Sequence, residues 1–515
     1  MRIIFLKGNN SEIAEGYFKS SKVVKKNLKY YNKLRKKIFT RNSRGFFKKS
    51  IIKVFELYYY KFFEKNLDDN YREFIKEFSI ASKIKYKNFS KLVLIPDVLT
   101  YVFSKVPSLK IPHYTLGCSS CIRKLENGIE HGRNLDFFGG NIWSGSHEVV
   151  VVTPEVGQKF ISVSAEGFFS PGITAINESY LSISLHMLYS EEVNKKGVPI
   201  LNLVYNILLN SSTLDDVREY LKRSKPITAW GLLITDHKSG EVSVFEITGK
   251  NFQEYKVDGE TFGYVNKFIT ELKKSEYLFS YLWIENNNNR IKRIDELLEN
   301  ETTIVDILSD RTGQDFIANN FTISSAIFNP KDDELLVADN KVPASIGEYR
   351  CFVLSELFAG NVKERDKIST LNSSTFNRDN IKNIVDAYDN YLVSCNKSKF
   401  LKSIENIDQM PAPLFKAVIL AKKGRLQLAL KCIDELIKGD SLKGYRLFTT
   451  LLLKGIFLDI YKKREESITI YRELLLNQHY PDIIFYCLKF LKKPASKRYL
   501  ERIDINMFLS HIIIV

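Results

Sequence analysis

The stretch from Thr115 to Phe137, TLGCSSCIRKLENGIEHGRNLDF, constrains the fold more than any other part of the chain. It reads as a strand carrying Cys118, a turn at Glu126-Asn127-Gly128, and a second strand that delivers Arg133, Asn134 and Asp136. Asn-Gly is the strongest short hairpin signal, because both residues tolerate the positive φ of a type I′ turn. A hairpin closed there returns HGRNLDF beside Cys118. A thiol, a guanidinium and a carboxylate then stand together, although Arg133 and Asp136 lie 15 and 18 residues beyond the cysteine.

Beyond the hairpin, HEVVVVTPE, QKFISVSAEG, YLSISLHML, AWGLLITDH, EVSVFEI, NFQEYKV, TISSAIFNP and ELLVAD are short β-rich runs separated by turn residues. Helices are expected over 197–210, 213–224 and 290–310, the second entered at Ser212-Thr213-Leu214-Asp215-Asp216. Two antiparallel sheets flanked by helices follow from that mixture. Upstream, MRIIFLKGNNSEIAEG reads as the first strand, and the chain between Asn66 and Gly117 as mainly helical. Pro107 and Pro112 then interrupt regularity in a loop feeding the strand of Cys118. After about residue 370 only helices are expected. FKAVILAKKGRLQLALKCIDELIKGD aligns with LLLKGIFLDIYKKREESITIYRELLLN, with Ala429 and Ser467 equivalent at a separation of 38. The pair reads as helix-turn-helix units of tetratricopeptide (TPR) type or as an ordinary helical subdomain.

At 515 residues with 44% hydrophobic content the chain can bury a large core, in roughly two to four domains. No stretch reaches the ~18 apolar residues of a membrane span, and the N-terminus lacks the features of a secretory signal. A cytoplasmic location is expected. Cys118 and Cys121 form a C-x-x-C, but no second pair or His pair stands at zinc spacing, so no metal is expected. Residues 19–61 hold fifteen Lys and Arg against one acid, Glu56, which is +14 of the net +16 and leaves about +2 for the rest. That segment interleaves basic residues with Tyr and Phe at helical spacing. It fits nucleic acid, anionic lipid or an acidic cofactor such as coenzyme A, or simply helices with aromatics inward and lysines outward. No nucleic-acid module accompanies the charge, so nucleic acid is not expected as a partner.

A Gly-Cys junction, small hydroxyl residues after the Cys, a short hairpin and then G-R-N-x-D-[FW] resemble the start of the catalytic chain in cysteine N-terminal nucleophile (Ntn) hydrolases. Among these the acyl-CoA:6-aminopenicillanate acyltransferase-like branch fits best, since its members carry a prosegment of about this length. The resemblance spans roughly residues 7 to 360. GNNSEIAEGYFKS is similar to the family's opening element, with Ala14 where Gly is usual. FFSPGITAINESYLSISLHML resembles the strand-turn-strand of the oxyanion-hole residue, LLITDHKSGEVSVFE a family hairpin, and GYVNKF the place of a T-N-H-F. NNNRIKRIDELL and TISSAIFNPKDDELLVA resemble its late Arg-bearing helix and closing hairpin. Thr228-Ala229-Trp230-Gly231, where bile-salt hydrolases place a catalytic Asn, argues against that branch. The resemblance implies an α+β fold: an αββα four-layer sandwich over 118–370, preceded by a prosegment over 1–117 with a strand and basic helices. The helical region over 371–515 is appended.

The resemblance also implies autocatalytic cleavage between Gly117 and Cys118. A thiol with a pKa near 8.5 needs a base. The freed α-amine, at about 7.7–8.0 against about 10.4 for lysine, supplies one without about 3 kcal/mol of pKa tuning. Arg133 is then expected beside the sulfur and Asp136 on the α-amine, against the alternative of a structural salt bridge at a hairpin end. His186 is expected as oxyanion donor or as a satisfied core histidine, and its charge would vary with pH. Asn266 is expected on the amine or the acyl carbonyl. Asn134, Asn177 and Trp230 (or Thr228) are candidates for ordering the hairpin or lining the pocket. Arg290 and Arg293 suit an anionic leaving group, though solvated helix arginines are the commoner case. The function implied is an acyltransferase or amidohydrolase acting on a small-molecule acyl amide or acyl-CoA, with no cofactor beyond coenzyme A as part of a substrate. The competing class is a non-catalytic protein that keeps the fold and recruits a protein partner through its helical repeats.

Overall fold

The computed structural model describes the chain except residues 21–22, 41–53, 55–56, 106–116, 138, 168, 278–280, 372–376, 395, 408–409, 440–441, 477–478, 502, 507–510 and 515. Much of the basic 19–61 segment and the loop of Pro107 and Pro112 therefore lie outside the described residues.

The clearest link from sequence to architecture is the Val149–Val152 run. Four consecutive apolar β-branched residues suit a strand covered on both faces. In the structure Val150 and Val152 join a cluster with helix residues such as Tyr17, Phe78 and Val204. Val149 and Val151 instead pack with Ala326, Phe328 and Val337 of a second sheet.

The first sheet has eight strands in the order β1 (Arg2–Gly8), β4 (His147–Pro154), β5 (Phe160–Ala165), β6 (Thr174–Asn177), β7 (Leu181–Met187), β8 (Trp230–Asp236), β9 (Glu241–Ile247) and β10 (Phe252–Lys256). The second has seven, β11 (Thr261–Val265), β2 (Gly117–Leu125), β3 (Gly128–Asp136), β12 (Thr322–Asn329), β13 (Glu334–Ala338), β14 (Glu348–Val353) and β15 (Glu364–Ser369). The expected runs all form strands. The sheets are not wholly antiparallel, because β1 pairs parallel with β4 from Arg2↔Glu148 to Gly8↔Pro154. A strand that arrives from the N-terminal segment joins the sheet as an edge, so its direction is not set by a hairpin.

A polar layer also joins the sheets. His131 on β3 meets Ser182 and Ser184 on β7, each at 2.8 Å, and Thr235 on β8 at 3.1 Å. On its other face the second sheet carries the helices Tyr281–Glu299 and Ile304–Ser309, whose Ile294, Ile304 and Leu308 pack with Cys121 and Ile327. Cys118 and Cys121 differ by an odd number of residues and lie on opposite faces of β2, which removes the C-x-x-C as a chelating pair.

The hairpin pairs Cys118 with Leu135 and Gly117 with Asp136, as expected. The turn is a correction. Leu125 pairs with Gly128, so the two-residue loop is Glu126-Asn127, and among the described residues with left-handed backbone none lies in this turn. It is not type I′. Gly128 is required for close approach instead: a Cβ there would stand 2.5 Å from Lys331 Cβ.

Beyond residue 370, the helix pairs Ala412–Lys422 with Leu426–Lys438 and Gly444–Ile460 with Arg464–Leu475 form two hairpins. Their turns match: Gly424 and Lys462, also 38 apart, both take left-handed backbone, at φ 81° and 66°. Strands do not vanish entirely, since Ile503–Asn506 and His511–Ile514 pair near the C-terminus. Among the described residues no helix is long and apolar enough to cross a membrane.

The Gly of H-G-R-N is a packing requirement. A Cβ on Gly132 would lie 2.3 Å from Ile304 and 3.2 Å from the Cys121 sulfur. Gly132→Ala is expected to lower stability by about 1–3 kcal/mol, the usual range for overpacking, as a lower urea midpoint at unchanged m-value.

Candidate active site

Because side chains alternate along a strand, Cys118 and Ser120 of β2, and Arg133 and Leu135 of β3, face the first sheet. Arg133 crosses the gap. Its Nη2 donates to Cys118 Sγ at 3.1 Å and to the Leu185 carbonyl on β7 at 2.5 Å. Its Nη1 donates to the Ile173 carbonyl and to Thr174 Oγ1. The thiol in turn stands 3.5 Å from the Leu185 carbonyl. Burying such a charge is costly unless its donors meet acceptors; carbonyls from the opposite sheet serve both Nη atoms, while Nε is buried without a hydrogen-bond partner.

The backbone of Cys118 is held as firmly as its sulfur. Its N–H donates to Asn266 Oδ1 at 2.6 Å, and Asn266 Nδ2 donates to the Met187 carbonyl at 3.1 Å. Asn266 therefore faces the Cys118 nitrogen. Asp136 is aligned with Gly117 across the ladder. One carboxylate oxygen accepts from Thr322 Oγ1 at 2.6 Å, while Oδ2 is buried without a hydrogen-bond partner. A buried acceptor left bare beside the Gly117-Cys118 junction has the chemistry to take a new ammonium or a proton.

Of the two readings of Arg290, the commoner one, a solvated helix arginine, is the largest correction. It is 1% exposed, on the helix Tyr281–Glu299. Nη1 donates to the Cys118 carbonyl and to Ser119 Oγ, both at 2.8 Å, and Nη2 reaches Asn266 Oδ1 at 3.5 Å. Asn286 and Asn287, four and three residues earlier, accept from its Nε at 3.0 Å and Nη2 at 2.7 Å. The signal was present in NNNNR: amides at i−4 and i−3 share a helix face with the arginine and have the reach to hold it. Arg293, on another face, pairs with Asp310 at 3.1 Å and is no part of the site.

The remaining candidates are more distant. His186 Nε2 is 2.9 Å from Ser120 Oγ, so β7 presents the Leu185 carbonyl and not an imidazole to the thiol. Burial, then Arg133, His131 and Arg290, hold its pKa well below the ordinary value, so the pH-dependent charge expected of it does not arise. Asn134 points to the opposite face and donates to the Leu308 and Ile317 carbonyls, at 2.7 and 3.1 Å. Asn177 donates to the Leu208 and Ser211 carbonyls and accepts from Leu181 N, tying a helix end to the β6–β7 turn. Trp230 pairs with Met187 across β7–β8, and its indole N–H donates to Thr228, which meets Thr100 of the helix Ile95–Lys105 at 2.8 Å. These three residues hold structure together around the site.

The electrostatics hold the Cys118 thiol back from ionising. Burial raises the Cys118 thiol, and Arg133 and Arg290 pull it back only in part, so the sulfur rests protonated. Burial likewise pushes the Asp136 carboxyl up to about 6, against the pull of Arg290, Thr322 and Arg133.

Comparison with known proteins gives the same direction. Residues 125–338 match the family model described as acyl-coenzyme A:6-aminopenicillanic acid acyl-transferase. The matching model is that of the family the hairpin resembles. The acyl-transferase match thus starts at the last residue of β2 and ends with β13. No curated protein matches the chain. Among solved structures, two variants of the conjugated bile acid hydrolase from Clostridium perfringens are similar at 12% identity. One covers 49% of this chain and 98% of its own at a TM-score of 0.33, the other 50% and 100% at 0.34. A likeness at those scores adds nothing to the acyl-transferase match.

The Asp136 carboxyl gives a test independent of turnover. Its folded pKa of about 6 lies above the unfolded value of about 3.9. Between the two the folded chain holds a proton that the unfolded chain has lost, so this group lowers stability as pH rises through that window. In an uncut Cys118→Ala background, Asp136→Asn is expected to gain about 2–3 kcal/mol relative to its parent between pH 4 and pH 7.5. Urea unfolding at the two pH values measures it; an equal difference at both contradicts the assignment.

Proposed function

We propose that this protein is a self-processing cysteine Ntn acyltransferase or amidohydrolase, made as a precursor and cut between Gly117 and Cys118. The observation that carries it is that both reactive ends of one residue are held by buried, distant side chains. Arg133 is on Cys118 Sγ, and Asn266 is on Cys118 N. A cysteine kept only for packing has no use for the second partner.

In the precursor, Sγ adds to the Gly117 carbonyl carbon and gives up its proton, which returns to the Cys118 nitrogen in the next step. The C–N bond to Cys118 breaks as the nitrogen takes a proton and becomes the α-amine, leaving Gly117 as a thioester on sulfur. Water hydrolyses that thioester to the Gly117 carboxylate and the free thiol. The new amine lies between Asn266 Oδ1 and Asp136, and Arg290 fixes the Cys118 carbonyl behind it. In turnover the amine takes the thiol proton, the sulfur attacks an amide or acyl-CoA carbonyl, and the leaving amine or coenzyme A thiol departs with that proton. The acyl thioester on Cys118 then passes to water or to an acceptor amine.

The polar and apolar contacts between the two sheets, with helices on their outer faces, support reading residues 118–370 as an αββα Ntn sandwich. The matching turns at Gly424 and Lys462 support a TPR-like repeat over 371–515. One observation favours a second reading, a binding protein that has kept the fold: Cys118 is only 3% exposed.

Intact mass of the wild type beside Cys118→Ala separates the two. Self-processing yields fragments of 117 and 398 residues from the wild type alone. A single uncut chain in both, with Cys118 inert to thiol reagents, would sink the enzymatic reading.

A further inference from the structure

The arginine that holds the Cys118 carbonyl is itself held from the C-terminal helical region, by an unbroken chain of buried hydrogen bonds. Arg446, in the first turn of the helix Gly444–Ile460, pairs with Asp315 at 2.6 Å, and their side chains are 5% and 1% exposed. The same Asp315 oxygen accepts from Asn286 Nδ2 at 2.6 Å, and the other accepts from Asn289 Nδ2 at 2.7 Å. Asn286 Oδ1 accepts from Arg290 Nε at 3.0 Å, and Arg290 Nη1 reaches the Cys118 carbonyl at 2.8 Å. A carboxylate only accepts and a guanidinium only donates, so Asn286 must turn its NH2 to Asp315 and its oxygen to Arg290, and Asp315 fixes which way Asn286 faces.

The joint is built for close approach. Glu285 accepts from Tyr445 N at 3.1 Å, and Gln314 Oε1 accepts from Lys443 N at 2.8 Å. Gly444 has a positive φ of 52°, and a Cβ on it would collide with Glu285 Oε1 at 2.1 Å. Acceptors at 285, 314 and 315 thus receive the first turn of one helix, where free backbone N–H groups concentrate. Burial pushes the Asp315 carboxyl up, but Arg446, Asn289 and Asn286 together hold it below its usual range.

We infer that the C-terminal helical region completes the catalytic site, with Arg446 acting through Asp315 and Asn286 as a positioning residue for Arg290. The inference rests on Cys118 as the reacting group. Without Arg446, Asp315 becomes a buried carboxylate with no cation, Asn286 loses its reason to face one way, and the Arg290 fork loosens at the Cys118 backbone. The helical region then serves the chemistry directly, and the 371–515 segment is not dispensable for it.

The test compares full-length wild type, Arg446→Gln, Arg446→Lys and Gln314→Ala, the last losing a tie at the same joint that does not lead to Arg290. Three quantities are read: the rate of self-cleavage by intact mass, the pH profile of Cys118 alkylation by iodoacetamide followed on its own peptide, and the thermal midpoint. Arg446→Gln is expected to slow cleavage about tenfold, the order of one coupling within a hydrogen-bond network, and to move the alkylation profile to higher pH. Arg446→Lys is expected to recover part of both, and Gln314→Ala to match the wild type in both. A lower thermal midpoint for Arg446→Gln with wild-type cleavage and an unmoved profile overturns the inference. If the wild type does not cleave itself, the self-processing reading fails, while the alkylation profile still decides the inference.

Discussion

The site depends on one buried guanidinium. Arg133 rises from β3 in one sheet, ends on carbonyls of Ile173 and Leu185 in the other, and touches the thiol on the way. Taking a charge out of water costs several kcal/mol unless its hydrogen bonds are replaced, so the two sheets must keep the register that replaces them. The His131 layer and the apolar contacts beside it fix that register. Local sequence alone sets the hairpin, but only the spacing of the sheets makes the hairpin's arginine a partner for its cysteine.

Around that guanidinium the site is divided between the two faces of one sheet. The sulfur and Arg133 look inward to the first sheet. Asp136, Asn134 and Ser119 look outward to the helices, where Arg290 closes over the Cys118 backbone. Sulfur and nitrogen of the same residue are thereby served from opposite sides, which gives one residue two separate electrostatic environments.

Strands and hairpin were legible in the sequence because their signals are local: period-two alternation, Val149–Val152, and a turn between two β-rich runs. Cys118, Arg133 and Asp136 were legible from their spacing around that turn. The turn type was not, since Gly128 answers to Lys331, a residue about 200 positions away. The parallel β1 and the burial of Arg290 escaped for the same reason. Each depends on which segment arrives from far along the chain, and periodicity does not carry that information. His186 shows the converse: a residue in a suggestive position whose ring is engaged by a neighbouring serine, with burial keeping it neutral.

Under the proposed function Cys118 carries an acyl group as a thioester. The most direct measurement is to incubate the wild type with N-acyl amides and acyl-CoAs, quench in acid, and read the mass of the peptide containing Cys118. The proposed function predicts one acyl mass on that cysteine, removed by hydroxylamine and absent from Cys118→Ala, which also forms no product. Product formed at an undiminished rate by Cys118→Ala, or acylation confined to other residues, would contradict it.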